Sequence, residues 1–150
     1  MNRIFFTKEK FENIKKEYDN LLLERKDAVF HLAKAREMGD LKENGYYRAS
    51  KSKLLSIDHN LRELSRFIKY GSVINFINKG LVEIGSRVTL LTENKSITYR
   101  IVGKEEANPK EGKISTESPL GKMLIGKKVG ESIKLNVPAG KISYKITKID

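Results

Sequence analysis

Two rhythms of apolar residues divide this chain. The first runs through Phe11, Ile14, Tyr18, Leu21, Ala28, Leu32 and Ala35, spaced three and four residues apart, with Arg25 occupying one position of the stripe. The second repeats it at Tyr47, Leu54, Ile57, Leu61, Leu64 and Ile68, with Ser50 on the same stripe. Seams of this period, sustained over about four and then three heptads, predict two long helices paired as a coiled coil. Only a short turn joins them, so they are expected to run antiparallel. Thr7, ahead of Lys8-Glu9-Lys10, is placed to cap the first helix. About 30 residues of that helix would make a rod of roughly 45 Å. Two helices cannot enclose a globular core. A rod of this kind serves to reach something or, alternatively, to self-associate.

The stretch between the helices reads Glu37-Met38-Gly39-Asp40-Leu41-Lys42-Glu43-Asn44. Gly39 suits the positive φ that often ends a helix. Asp40 stands where an N-cap belongs and Glu43 follows three residues later, the spacing of a capping box. The turn is thus expected to carry two carboxylates at the tip of the hairpin.

After Gly71 and Asn78-Lys79-Gly80 the apolar period changes to two. The runs 87–92 and 97–102 flank Glu93-Asn94-Lys95-Ser96, and the runs 132–137 and 142–147 flank Pro138-Ala139-Gly140-Lys141. Each reads as a β-hairpin. Ser118-Pro119 has the form of an N-cap followed by proline at the first helical position, predicting a short helix over 120–125 stopped by Gly126. The expected organisation is a helical hairpin over 1–78 and a small α+β domain over 79–150, with about four strands and one helix.

Composition narrows the possible functions. The net charge is +11 with a pI near 9.7, which favours nucleic acid or an acidic protein surface as partner. The excess is spread over both halves, with 17 basic and 11 acidic side chains in 1–79 and 13 and 8 in 80–150. Around the tip, Lys34, Arg36, Lys42, Arg48, Lys51 and Lys53 form a basic collar, readable equally as a solvated surface or as a contact for polyanions. There is no cysteine, so thiolate metal sites and disulfides are excluded. No apolar run approaches the ~20 residues of a membrane span, and Ile4-Phe5-Phe6 is too short for a signal-peptide core. A cytoplasmic location without membrane contact is expected.

Candidate chemistry is sparse. His31 and His59 fall on outer helix faces with no second ligand at metal spacing, and are expected to be solvated. There is no glycine-rich phosphate loop and no nucleophile elbow. What remains is the pair Asp40 and Glu43. Their spacing alone favours capping. Their place at the end of a rod ringed by bases points instead to a role in another molecule. Exposed carboxylates are ionised at neutral pH and suit a hard cation such as magnesium, but two are too few for a closed site. Such a site is completed only when the tip enters a macromolecule that supplies further ligands.

The tip Gly39-Asp40-Leu41-Lys42-Glu43-Asn44, followed by Tyr47, resembles the signature of the bacterial GreA/GreB transcript-cleavage factors. The resemblance continues through Tyr99-Arg100-Ile101-Val102-Gly103, Glu106-Ala107, Ile114-Ser115, Ser118 to Lys122, Leu124 to Glu131, Pro138-Ala139-Gly140 and Tyr144-Lys145-Ile146. It implies an N-terminal antiparallel coiled coil and a C-terminal FKBP-like α+β domain. It also implies that the C-terminal domain docks on RNA polymerase, with Ser118, Pro119, Gly126 and Lys127 in the matching segment. The coiled coil would then enter the secondary channel, and the polymerase would cleave the 3′ end of backtracked RNA. Asp40 and Glu43 are implied to assist by sharing a magnesium ion with the polymerase. The protein would need no cofactor of its own, would not itself be an enzyme, and is expected to be monomeric. Asn44 and Tyr47 are implied as tip neighbours, and Arg36 and Lys51 as part of the basic face toward nascent RNA. Glycine stands at 45 where the family commonly has alanine, and Tyr46 where it has an acid. Glycine within a helix costs about 1 kcal/mol, so the first turn of the second helix is expected to be looser.

Three rival functions are open at this level. A channel-entering regulator could inhibit polymerase without promoting cleavage. A prolyl isomerase would need an aromatic-lined pocket, and residues 79–150 hold only Tyr99 and Tyr144 as aromatics. A general nucleic-acid or DNA binder would show steep salt dependence without polymerase.

Overall fold

A computed structural model describes residues 3–39 and 43–150. It falls into two compact units. Phe11–Gly71 forms one; the segment up to Lys10 joins Ser72–Asp150 in the other. The division differs from the expected boundary at 78/79. Strand β1 (Ile4–Phe6) pairs with β2 (Gly71–Val73), and the Ile74 amide donates to the Phe6 carbonyl at 2.8 Å. Phe6 is fully buried. The first residues are therefore part of the C-terminal unit and not of the hairpin.

The helical unit follows from the seams. Helix α1 spans Lys8–Glu37 and α2 spans Gly45–Tyr70. Thr7 caps α1 as expected, its Oγ1 accepting from the Lys10 amide at 3.2 Å. Ile14, Ala28, Leu32 and Ala35 of α1 are buried, as are Ser50, Ile57, Leu61 and Leu64 of α2. Ala28, Ile57 and Leu61 form a cluster with Tyr18, Leu21 and Leu54 packed against it. Arg25, the charged member of the seam, stays exposed and pairs with Asp58, Nε to Oδ1 2.6 Å. That carboxylate raises the Arg25 pKa through its hydrogen bond and its charge, and because the side chain stays exposed the cation costs little desolvation.

In the C-terminal unit a five-stranded sheet has the order β5-β4-β3-β7-β6. Strands β3 (Arg87–Thr92) and β4 (Lys95–Val102) are joined by Glu93 and Asn94, both at positive φ. That is a two-residue turn of the kind whose twist matches the strands, tighter than the four residues expected. Strand β5 (Lys113–Ser115) runs parallel to β4, after two short 3₁₀ turns at Lys104–Glu106 and Pro109–Glu111. Helix α3 (Pro119–Leu124) follows, then β6 (Ser132–Val137) and β7 (Gly140–Ile149), an antiparallel hairpin. Alternation sets the core: Val88 and Leu90 of β3 point inward, with Ile101, Leu124, Ile133, Tyr144 and Ile146. This is the expected α+β arrangement, a helical hairpin followed by a sheet domain. Among the described residues, three-residue strands add to the four expected.

Glu106 links the two ends of this unit. It is buried, and its carboxylate accepts from the Thr7 amide at 2.8 Å and from Thr7 Oγ1 at 2.5 Å. Lys113 Nζ stands 3.8 Å away.

Candidate functional site: the interhelical turn

Helix α1 ends at Glu37, and Gly39 has φ +98°, the positive value expected there. Asp40 lies outside the described residues, together with Leu41 and Lys42. The expected capping box rests on Asp40 and so lies outside the described residues as well, but α2 does not start where the box would place it. Helix α2 begins at Gly45, and its N-cap is Asn44, whose Oδ1 accepts from the Tyr47 amide at 3.2 Å. Asn44 and Tyr47 stand in the same three-residue relation as the proposed box, one turn later. An asparagine side chain also carries a donor, and Asn44 Nδ2 donates to the Ala35 carbonyl at 3.1 Å. One side chain therefore satisfies a free amide of α2 and gives a second donor to the Ala35 carbonyl at the end of α1, which also accepts from the Met38 amide at 3.2 Å.

This start changes the meaning of two neighbours. Gly45 is the first residue of α2, where a helix interior penalty does not apply in full. Glu43 is exposed in the turn before the cap. It is released from a capping role because Asn44 performs it.

Tyr46 and His31 correct a second expectation. His31 is exposed but not merely solvated. Its Nδ1 shares a hydrogen bond of 2.7 Å with the Tyr46 hydroxyl, and its Nε2 lies 3.6 Å from Asp27 Oδ2. The tyrosine that replaces the family's acid thus ties the first turn of α2 back to α1. Heptad position gave the face of His31 correctly, but not the reach of Tyr46. Arg36, in the last turn of α1, and Lys51 on α2 are both exposed.

The segment 118–131 shows why its sequence has the form it does. Ser118 Oγ accepts from the Gly121 amide at 3.0 Å and caps α3, with Pro119 at the first helical position. A Cβ on Gly121 would lie 1.9 Å from the Ser115 carbonyl oxygen, so only glycine fits this approach. Gly126 turns the chain at φ +81°. Its amide donates to the Val82 carbonyl, and the Lys127 carbonyl accepts from the Val82 amide. Ser118, Gly126 and Lys127 therefore have structural duties. Pro119, Ile125 and Val129 are exposed. A groove of about 520 Å³ beside α3 is lined by Phe5, Glu83, Ile84, Thr116, Lys122 and Ile125. Tyr144 is buried in the sheet core and Tyr99 packs against that core. Burial, then the neighbouring Tyr144, pushes the Tyr99 phenol's pKa up. Neither tyrosine lines that groove, which weakens the isomerase alternative. Among the described residues no helix is long and apolar enough to cross a membrane.

Comparison with known proteins places both halves of the sequence in one family. The N-terminal model of the transcription elongation factor family covers residues 4–73, and the C-terminal GreA/GreB model covers 77–150. The chain is 38% identical over 149 residues to "Transcription elongation factor GreA" of Lactococcus lactis subsp. cremoris (strain SK11), covering 96% of each chain. It is 40% identical over 148 residues to the protein of that name from Pelobacter propionicus, covering 95% and 94%. The crystal structure of GreA factor homolog 1 (Gfh1) of Thermus thermophilus aligns over 99% of both chains, with 23% identity and a TM-score of 0.48. With both halves matched in order and relatives near 40% identity over almost the full length, the chain belongs to the GreA/GreB family of transcription elongation factors.

Proposed function

We propose that this chain binds RNA polymerase, inserts the α1–α2 hairpin into the secondary channel and stimulates cleavage of the 3′ end of backtracked RNA. The observation that carries the reading is the capping of α2 by Asn44, which leaves Glu43 exposed in the turn. A tip whose acid is not needed for folding is free to act in a partner.

Each residue then has a chemical task. Asp40 and Glu43 present carboxylate oxygens to the polymerase active site, and either can orient the attacking water. The donor set is hard and anionic, which suits magnesium. Two carboxylates supply part of a coordination shell, so the ion would be shared with polymerase and RNA. Magnesium bound there supplies charge stabilisation at the phosphodiester. Asn44 keeps the turn closed. Arg36 and Lys51, exposed near the tip, offer cations to the displaced RNA backbone. The C-terminal unit supplies docking through the 118–131 region, in which Pro119, Ile125 and Val129 are apolar side chains left exposed. The test is a cleavage assay on a stalled elongation complex with and without the protein, in which the protein should shorten the transcript from its 3′ end.

A further inference from the structure

The face of α1 opposite the interhelical seam carries its own pattern. Leu23 and Phe30 lie on it, two turns apart, with 64% and 54% of their surfaces exposed. Lys26 and Asp27 stand between them. Asp19 and Lys34 come next on either side, and Lys16 and Glu37 beyond those. At 3.6 residues per turn all eight fall within an arc of about 100°, and all are exposed. The three basic and three acidic members make the face locally neutral, on a chain of net charge +11.

The order of these residues is complementary to its own reverse. Laid against itself antiparallel about the Lys26–Asp27 midpoint, the helix sets Lys16 against Glu37 and Asp19 against Lys34. Leu23 then faces Phe30, and Lys26 faces Asp27. Every charged position meets its opposite and every apolar position meets an apolar one. A parallel, in-register pairing would instead set each charge against itself, which repels. We propose that the outer face of α1 is a contact for a second copy of this chain, in an antiparallel pair with a two-fold axis near Lys26 and Asp27.

Such a contact is isologous, so each feature is used twice. Asp19, Leu22, Leu23, Arg25 and Lys26 line a shallow groove of about 480 Å³, and Phe30 of the second copy is the side chain brought over it. Lys34 Nζ already lies 4.9 Å from the Phe30 ring centroid, so the cation that meets Asp19 travels with the ring that meets Leu23. The strip from Lys16 to Glu37 is roughly 33 Å long but only one helix face wide. Its area falls below that of standard stable interfaces, so the pair is transient, with a dissociation constant above the micromolar range. A chain expected from its sequence to be monomeric is, on this reading, in monomer–dimer exchange.

The experiment is sedimentation of the full chain over micromolar to millimolar concentration, with helicity followed by circular dichroism. The parent chain should move from monomer to dimer with concentration. Asp19→Lys and Lys34→Asp, both at exposed positions, should each weaken the dimer at least tenfold by setting like charges together. Mixing the two single variants should restore association as a heterodimer, and the double variant Asp19→Lys/Lys34→Asp should dimerise on its own. Leu23→Glu should abolish association. A parent chain monomeric over the whole range would overturn the proposal. So would dimers indifferent to these substitutions, or single variants that fail to rescue each other when mixed.

Discussion

Asn44 and Ala35 are joined across the tip of the hairpin: the Asn44 amide donates to the Ala35 carbonyl at 3.1 Å while its oxygen caps α2 at Tyr47. The bond closes the turn from its base, and Glu43, just before the cap, stays exposed. A helix cap is worth about 1 kcal/mol, and the donor to Ala35 adds a second bond. Asn44→Ala should therefore cost roughly 1–2 kcal/mol in denaturant unfolding of the full chain. Asn44→Asp keeps the capping oxygen and loses only the donor, so it should cost less than the alanine variant. Equal costs for the two would show that the cap contributes nothing.

The seam is tested at Leu61, which is 9% exposed and clustered with Ala28 and Ile57. Leu61→Ala should cost about 2–5 kcal/mol, since a buried leucine loses both transfer energy and packing. Leu55, 59% exposed one turn and a half earlier, should lose under about 0.5 kcal/mol on the same change. Thermal or denaturant unfolding of the two variants decides.

Glu106 belongs to the family resemblance, yet its work here is structural. Its carboxylate holds both the amide and the hydroxyl of Thr7 in a buried position. Glu106→Ala leaves those donors without their acceptor, and should destabilise the C-terminal unit by about 2–3 kcal/mol. Hydrogen exchange should then rise first at β1 and β2. A variant with unaltered protection there would contradict the assignment.

The parts legible in the sequence were those with enough residues to show a period. The two seams, the hairpins around 93–94 and 138–139 and the Ser118-Pro119 helix start all repeat or carry a strong local signal. Strands β1, β2 and β5 have three residues each, too few for alternation to register. They exist because partner strands and the burial of Phe6 and Ile114 hold them. The cap of α2 was misplaced because Asp40 and Glu43 match the box spacing. Asn44 is an equally good cap four residues later, and it also reaches the Ala35 carbonyl. The His31–Tyr46 bond spans two helices, and single-helix periodicity cannot show it. As for the tip itself, Glu43 and Asn44 are legible as candidates, while the second hydrogen bond of Asn44 joins the ends of two helices nine residues apart and leaves no mark on the apolar period.

Tyr46 offers a separate test of tip closure. Tyr46→Phe removes the hydroxyl that meets His31 Nδ1 at 2.7 Å without altering the cap at Asn44. A bond at an exposed site contributes about 0.5–1 kcal/mol, and the loss should be read as a small fall in the melting temperature. His31→Ala combined with Tyr46→Phe should cost no more than the sum of the singles, less their shared bond. Strict additivity would mean the two side chains do not interact in solution.

The central claim is that the tip acids act inside polymerase and not in folding. Its most direct measurement is the rate of RNA cleavage in a stalled, backtracked elongation complex, comparing the parent with Asp40→Asn and Glu43→Gln. Both variants should fold like the parent, because Asn44 caps α2, and both should bind polymerase as the parent does. Each should slow stimulated cleavage at least tenfold, about 1.4 kcal/mol of barrier, with partial recovery at raised magnesium. Parental cleavage rates in both variants would contradict the account. A parent chain that binds polymerase and slows transcription without cleaving would point to the inhibitory reading instead.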